Sequence, residues 1–317
     1  MNIKEKTRQV KEIGLRIGFN KIGIARAGRA PNASFLEDWL SSGQHGTMRW
    51  MEQHKEVRMD LNRFFPGARS VIMVALNYYT PHPIKDDPAS AKISRYAWGS
   101  DYHKIIKKML KRFLQHLKDL DQQIEGRAFV DSAPVMEKQW AVLAGLGWQG
   151  KNTNILTREL GSWIFLGGLV VNQELVYDVP HQDYCANCNA CVQACPTDAL
   201  KPYELDATKC ISYLTIEFQD HPIPQALAPK LQNWVFGCDI CQDVCPWNRF
   251  ARETGEQRFN PKQALLVNPP LSFLENLTEE QFDRLFAGTP VRRAKYHNFI
   301  RNVKTVIASD QRQRQAR

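Results

Sequence analysis

The sequence predicts an α+β fold, and three observations along its 317 residues support this prediction. Short apolar runs typical of strands alternate with amphipathic helical stretches through the first 175 residues. All eight cysteines then fall between Cys185 and Cys245, and a basic helical stretch follows near the C-terminus. We therefore expect an α/β domain at residues 1–175, a cysteine-rich domain at 176–255 and a helical basic segment at 256–317.

The individual helices and strands follow from the spacing of apolar residues. A helix is predicted at residues 2–18, and the apolar runs at 21–26, 69–78, 127–131 and 161–172 are typical of strands. The strongest helix is predicted at 101–120, where apolar residues share one face. Pro134 suits the first turn of the next helix. Further helices are expected at 211–218, after a capping box at Thr278-x2-Gln281, and at 291–308.

The cysteines form two motifs that each end in a proline. The first is Cys185-x2-Cys188-x2-Cys191-x3-Cys195-Pro196; Cys210 follows alone, and the second is Cys238-x2-Cys241-x3-Cys245-Pro246. The first motif is typical of bacterial ferredoxins, in which the fourth cysteine ligates the other cluster. We therefore expect a ferredoxin-like domain with two 4Fe–4S clusters. One would be held by Cys185, Cys188, Cys191 and Cys245, and the other by Cys195, Cys210, Cys238 and Cys241.

Other uses of these cysteines fit less well. Disulfides need an oxidising compartment, and the charged N-terminus has no signal-peptide pattern. Zinc usually takes paired C-x2-C motifs, although it remains the main alternative. The longest apolar run, residues 163–171, is too short to span a bilayer. We expect a cytoplasmic monomer with no membrane segment.

The charge distribution suggests an anionic partner. The formal net charge is +9 and the isoelectric point is near 9.1. From residue 291 to the end, the sequence contains eight Lys or Arg residues and a single acidic residue, Asp310. A second basic set lies on the predicted helix at 101–120: Lys104, Lys107, Lys108, Lys111 and Arg112. Taken alone, these charges fit a solvated helix face as well as a nucleic-acid surface; beside a redox domain they favour nucleic acid.

Two segments of the first domain are dense in polar and aromatic groups, ISRYAWGSDYH at 93–103 and the stretch at 130–154. Asp131 lies at the carboxyl end of the strand predicted at 127–131, where the ligands of open α/β sheets gather. A helix-capping role for Asp131 fits the sequence equally well. The glycine spacing at 145–150 follows a helical stretch and not a strand, so it does not predict a dinucleotide site.

Read in order, these segments resemble the epoxyqueuosine reductase family. The resemblance runs from about residue 10 to Val306. It rests on ISRYAWGSDYHK, VDSAPVMEKQWAVLAGLGWQGKNT, CANCNACVQACPTDAL, CISYLTIE, GCDICQDVCPWN and GTPVRRAKYHNFIRNV. It implies a cobalamin-dependent iron–sulfur enzyme that reduces epoxyqueuosine to queuosine at the wobble base of tRNA. It also implies that the first domain binds cobalamin and is similar to corrinoid reductive dehalogenases and, distantly, to nitroreductases.

The resemblance also assigns roles to individual residues. Asp131 matches the family's proton donor, and we expect burial beneath the cofactor and substrate to keep it protonated near neutral pH. Cobalamin contacts are predicted at Arg58, Trp98, Asp131, Lys151, Asn152, Thr153, Ser212 and Asp239. Phosphate contacts to the anticodon loop of tRNA are predicted at Arg292, Arg293, Lys295, Arg301 and Lys304. Many family members are longer, so the final basic helix would have to hold the tRNA here.

Two other functions stay open at this point. A corrinoid-dependent small-molecule reductase similar to the dehalogenases would share the clusters and cobalamin but would not need the basic helix. A plain two-cluster electron carrier would need neither Asp131 nor the aromatic segment at 93–103. In each case an unidentified low-potential donor supplies the electrons.

Overall fold

The computed structural model describes residues 1–315, and its first half is built around one sheet. The elements of this half, in chain order, are α1 (Ile3–Ile17), β1 (Lys21–Arg26), α2 (Ala33–Ser41), α3 (Trp50–Gln53), α4 (Lys55–Met59), α5 (Leu61–Phe64), β2 (Ser70–Asn77), β3 (Lys92–Ile93), α6 (Tyr102–Leu120), β4 (Gly126–Phe129), α7 (Glu137–Leu143), β5 (Trp148–Gln149), β6 (Ile155–Leu156) and β7 (Ile164–Val171).

The sheet has the strand order β1-β2-β7-β4, and every neighbouring pair is antiparallel. All eight residues of β2 are buried, because helices cover both faces of the sheet. Alternate side chains of a strand point to opposite faces. Ile72, Val74 and Leu76 accordingly pack in one core with α1 and α6. Val71 and Met73 pack in another core with α7.

The predicted strands and the long helix of this half are confirmed, with ends that differ by up to three residues. The sheet differs from the expected α/β pattern because its pairs are antiparallel, which makes this half α+β. The helix expected near Pro134 begins only at Glu137, since residues 131–136 form a turn that carries Asp131. The short helices α2 to α5 have no counterpart among the predicted elements.

The second half contains shorter elements. They are α8 (Ala190–Ala194), β8 (Leu200–Lys201), β9 (Glu204–Leu205), α9 (Ile211–Ile216), β10 (Trp234–Phe236), α10 (Ile240–Asp243), α11 (Leu271–Glu275), α12 (Glu279–Leu285) and α13 (Lys295–Gln315). One core joins residues 91–98 to α9, β10 and the helices α11 to α13. Strand β10 also pairs with β3 of the first half. The packing therefore crosses the boundaries expected at residues 175 and 255.

The C-terminal helices confirm the predicted capping box but change the predicted start of the final helix. The capping box of α12 is present, with reciprocal hydrogen bonds between Thr278 and Gln281. The final helix begins at Lys295 and not at residue 291, because Pro290–Ala294 form a 3₁₀ helix and Lys295 has a φ of 60°. Arg317, part of the predicted basic tail, lies outside the described residues. None of the described helices is both long and apolar enough to cross a membrane.

Candidate redox and substrate site

Two cavities are each lined by four cysteines, and the quartets are the two expected from the ferredoxin motif. The first cluster cavity, of about 210 Å³, is lined by Cys185, Cys188, Cys191 and Cys245. The second cluster cavity, of about 260 Å³, is lined by Cys195, Cys210, Cys238 and Cys241. Helices α8 and α10 pack against each other, which lets the last cysteine of each motif reach the other cavity.

None of the eight cysteines forms a disulfide. Within residues 1–315, no three His, Cys, Asp or Glu side chains converge closely enough to hold a single metal ion. Each quartet lines a cavity, as the ligands of a cluster larger than one metal ion would.

A third cavity, of about 1050 Å³, lies beside the second cluster cavity; we call it the large cavity. Tyr96, Lys138 and Ser212 line both of these cavities. Asn152 in turn lines both cluster cavities, and its side-chain amide donates to the Cys241 carbonyl at 3.1 Å. The three cavities are therefore arranged in series, with the second cluster cavity in the middle.

Asp131 lies in the wall of the large cavity, at the centre of a hydrogen-bond network. Its Oδ2 is 2.6 Å from His103 Nε2 and accepts from the Tyr102 hydroxyl at 2.9 Å. Arg293 approaches the same oxygen at 3.9 Å. The backbone N–H of Asp131 donates to Glu137 at 2.6 Å, which holds Asp131 at a φ of 41°. Positive φ is costly for a residue with a side chain, so this turn is a constrained feature.

In this structure the neighbours of Asp131 set its charge state. Desolvation does raise its pKa, but the hydrogen bond and charge of His103, together with Tyr102 and Arg293, outweigh it, and the pKa lies below its ordinary value. Desolvation lowers the pKa of His103, but Asp101 and Asp131 raise it to about 9. At neutral pH the pair is therefore an imidazolium and a carboxylate. The side chain of Asp131 is 44% exposed because it faces the open cavity.

The net shift of the pKa is opposite for Glu137, because burial outweighs its other interactions and the neighbouring carboxylate of Asp131 adds like-charge repulsion. The pKa of Glu137 is raised to about 8, which leaves it mostly uncharged at neutral pH. Glu217 on the far side of the cavity pairs with Arg293 at 2.8 Å. Arg293 thereby links Glu217 to Asp131 across the cavity wall.

Arg58 lies in another part of the same wall and has an unused donor. It is 6% exposed, and its guanidinium lies 5.2 Å from the centre of the Trp50 ring. Its Nε finds no hydrogen-bond partner among the described residues. A buried donor without a partner is costly, so this position suits a ligand that brings an acceptor.

The structure distributes the remaining predicted cofactor residues around all three cavities. Ser212 lines the large cavity and the second cluster cavity, while Thr153 lines only the latter. Lys151 lines the first cluster cavity and donates to the Ala186 carbonyl at 2.7 Å. The loop that carries Lys151 and Thr153 therefore lies beside the cluster cavities, and neither residue lines the large cavity that contains Asp131.

Two predicted cofactor contacts are corrected. Trp98 has no exposed surface and donates its indole N–H to the Ile93 carbonyl at 2.8 Å, so it belongs to the core. Asp239 is 1% exposed, and its carboxylate accepts from the Ser94 hydroxyl and the Arg95 backbone N–H. Neither side chain is accessible to a ligand; Asp239 instead holds the aromatic segment against the chain between two cluster cysteines.

The predicted nucleic-acid residues divide into three groups. Arg292 and Arg293 line the large cavity, and Arg292 also pairs with Asp283 at 2.8 Å. Lys295 and Lys304 are exposed. The prediction for Arg301 is corrected, because its guanidinium donates hydrogen bonds to backbone carbonyl groups within the fold, including that of Leu214 at 2.9 Å. A surface charge was expected there, and the structure shows a structural hydrogen-bond donor.

Several residues of the site were not predicted. Tyr102, His103, Lys138 and Glu217 all line the large cavity. The aromatic segment at 93–103 was the available signal for the first two, because it already stood out as dense in hydrogen-bonding groups. Lys138 lies in the stretch at 130–154 and Glu217 ends the motif CISYLTIE, but no role was predicted for either residue.

The fold and the paired cysteine cavities define an iron–sulfur oxidoreductase with two 4Fe–4S clusters. A family model described as "4Fe-4S double cluster binding domain" matches residues 184–248, and one described as "Epoxyqueuosine reductase QueG, DUF1730" matches residues 58–132. The epoxyqueuosine reductase of Cyclobacterium marinum is 45% identical over 307 residues, which cover 96% of this chain and 97% of the relative. The chain belongs to the epoxyqueuosine reductase family.

Two further comparisons agree with this assignment. The epoxyqueuosine reductase of Synechocystis sp. is 46% identical over 288 residues, which cover 89% of this chain and 99% of the relative. A solved epoxyqueuosine reductase in complex with an epoxyqueuosine-modified tRNA-Tyr stem loop aligns with a TM-score of 0.87. It is 27% identical, and the alignment covers 97% of this chain and 82% of that one.

Proposed function

We propose that this protein reduces the epoxide of epoxyqueuosine in tRNA to give queuosine, with cobalamin bound in the large cavity. The observation that carries this proposal is the arrangement of the three cavities in series. The two cysteine quartets would hold the clusters that supply electrons, and Asn152 lies in the wall that their cavities share. Tyr96, Lys138 and Ser212 would lie between the second cluster and cobalamin in the large cavity.

The large cavity fits a bulky polar cofactor. Its volume of about 1050 Å³ lies at the upper end of ordinary ligand pockets. Cobalamin carries amide and phosphate oxygens, which suit the unpaired Nε of Arg58. Ser212 and Lys138 offer further polar contacts on the side of the second cluster. When bound and reduced, cobalamin supplies a strongly nucleophilic, low-valent metal centre, while the protein supplies orientation and electrostatics.

Conversion of an epoxide to an alkene consumes two electrons and two protons and releases the oxygen as water. The departing oxygen must be protonated, and Asp131 is the carboxyl group that the network presents to the large cavity. Its position is set by three neighbours, since Tyr102 and His103 hold one oxygen and Glu137 holds the backbone N–H. We assign Asp131 the transfer of a proton to that oxygen.

The basic residues at the mouth of the large cavity suit a tRNA anticodon loop. Arg292 and Arg293 line the cavity, and the exposed Lys104, Lys107 and Lys108 continue along α6 from His103, which also lines it. The wobble base has to leave its stack to enter the cavity. Phosphate contacts offset that cost without reading sequence. The tRNA stem loop bound to the solved relative supports the same class of substrate.

The test is turnover by Asp131→Asn, in protein loaded with clusters and cobalamin and supplied with a chemical reductant and epoxyqueuosine-containing tRNA. Queuosine in the digested tRNA is measured by mass spectrometry. We expect a loss of roughly 10²–10⁴-fold, the usual range for general acid catalysis, with clusters and tRNA binding unchanged. The matched control is Asp119→Asn, an exposed carboxylate on α6. A loss below about tenfold would return Asp131 to a structural role.

A further inference from the structure

His103 has a carboxylate on each of its ring nitrogens. Nε2 is 2.6 Å from Asp131 Oδ2, and Nδ1 is 2.8 Å from Asp101 Oδ1. A carboxylate only accepts hydrogen bonds, and a neutral imidazole donates from one nitrogen only. With both carboxyl groups ionised, both contacts can therefore be hydrogen bonds only when His103 is an imidazolium. The raised pKa of about 9 agrees with this geometry.

The surrounding residues hold this imidazolium firmly in place. His103 lies in the first turn of α6, where the helix dipole disfavours a cation, so the carboxylates must outweigh that effect. Asp101 caps the same helix and also accepts the His103 backbone N–H at 3.0 Å. The Tyr102 ring stacks on the imidazole with centroids 4.1 Å apart, and on its other side against Phe165 at 4.1 Å. The histidine side chain remains 20% exposed, so it can exchange protons with water.

The other charged groups described near His103 and Asp131 are each engaged in a different contact. Arg293 lies 3.9 Å from Asp131 and is neutralised by Glu217 at 2.8 Å. Glu137 faces the turn from α7 and contacts the Asp131 backbone, not its carboxylate. The Tyr102 hydroxyl donates to Asp131, and burial raises its pKa, so it keeps its proton.

We propose that His103 stores the proton that Asp131 transfers during the reaction. The Nε2–H bond of His103 breaks as an O–H bond forms on Asp131 Oδ2, and that O–H bond then breaks as Asp131 passes the proton to the leaving oxygen. The net change is loss of one proton from the imidazolium and gain of one by the substrate oxygen. Water then reprotonates the neutral imidazole through its exposed edge, and the cycle repeats for the second proton. Asp101 is a positioning residue that keeps His103 charged. This step rests on the proposed function.

A measurement that does not depend on turnover tests the stored proton first. In cluster-loaded protein with isotopically labelled histidine, the His103 resonance is identified by its loss in His103→Gln, and its pKa is measured by NMR titration. We expect a pKa near 9 in the wild type. Asp101→Asn removes one carboxylate and should lower this pKa by about one unit or more. The control is His116→Gln on the same helix, which should leave the His103 titration unchanged. Titration of His103 near its ordinary value of 6.5 in the wild type would overturn the proposal.

Turnover then distinguishes storage of a proton from simple packing. His103→Gln keeps a hydrogen-bond donor beside Asp131 but cannot release a proton, so the rate should fall by roughly 10- to 100-fold while tRNA affinity is unchanged. In Asp101→Asn the alkaline limb of the pH–rate profile should move to lower pH, in step with the pKa measured by NMR. A full rate in His103→Gln, or an alkaline limb that does not follow the His103 pKa, would overturn the proposal. If the wild type forms no queuosine at all, the proposed function fails. The NMR titration then still tests the pKa of His103 independently.

Discussion

Replacing Arg301 by alanine should destabilise the protein and leave its electrostatic affinity for tRNA unchanged. The guanidinium donates to the carbonyl oxygens of Phe218 and His221 at 2.6 Å and of Leu214 at 2.9 Å. It also donates to Asn302 Oδ1 at 2.7 Å. Removal leaves three carbonyl groups at the end of α9 without this donor. At about 1 kcal/mol for each lost partner, with some access for water, the free energy of unfolding should fall by about 2–4 kcal/mol.

For a chain of this length, that loss corresponds to a decrease in Tm of about 3–6 °C, since the unfolding entropy is about 2.1 cal/mol/K per residue. The assay is thermal unfolding of the cluster-loaded variant, followed by tRNA binding across a salt series below its Tm. Lys304→Ala is the matched control, because Lys304 is exposed on the same helix less than one turn away. The control should change stability by less than about 0.5 kcal/mol but reduce the log K versus log salt slope by about one. An unchanged Tm with a reduced slope in Arg301→Ala would refute the structural role of Arg301.

Three further predictions concern a cluster, a buried acid and the sheet. Cys195→Ala should reduce iron from about eight to about four atoms per chain, because Cys195 lines only the second cluster cavity; unchanged iron, measured by metal analysis, would contradict its role as a cluster ligand. The pKa of Glu137 is raised from 4.5 to about 8, so the native state binds more protons than the unfolded chain between these values and loses stability as pH rises. The free energy of unfolding of Glu137→Gln minus that of the wild type, measured with urea, should therefore be about 1–3 kcal/mol larger at pH 9 than at pH 5. An equal difference at both pH values would show that Glu137 is charged throughout this range. Gly23→Ala would bring a Cβ within 1.9 Å of the Ala144 carbonyl oxygen and should cost about 1–3 kcal/mol, whereas the control Gly255→Ala meets nothing within 4 Å and should leave the urea midpoint unchanged.

The strands and the long helices could be predicted because their signals are local. The apolar run of β2 and the helical spacing of α6 each lie within one segment, and both elements are found within one residue of the predicted ends. The short helices α2 to α5 could not be predicted, because segments of four to nine residues contain too few turns to show a period. The antiparallel order of the sheet also lay beyond local pattern, since strand direction depends on how the intervening segments cross.

The candidate site shows the same division. Helical spacing alone does not separate Arg301 from Lys304, because both are basic residues on one helix. The carbonyl groups that engage Arg301 come from residues about 80 positions earlier in the chain. Trp98 likewise lies in a segment that the family resemblance marks as functional, yet it is fully buried. Whether such side chains reach a cavity or the core depends on contacts distant in sequence.

By itself the sequence determined the family, the two cysteine quartets expected to hold clusters, and Asp131 as the candidate acid, because motif spacing and order are properties of the chain. Only the tertiary structure decided the charge state of that acid. Asp131 lies 28 residues from His103, and folding brings them to 2.6 Å, where the imidazolium lowers the pKa that burial alone would raise. A pKa depends on the charges and water around a group, and these are set by the packing of segments that are far apart in sequence.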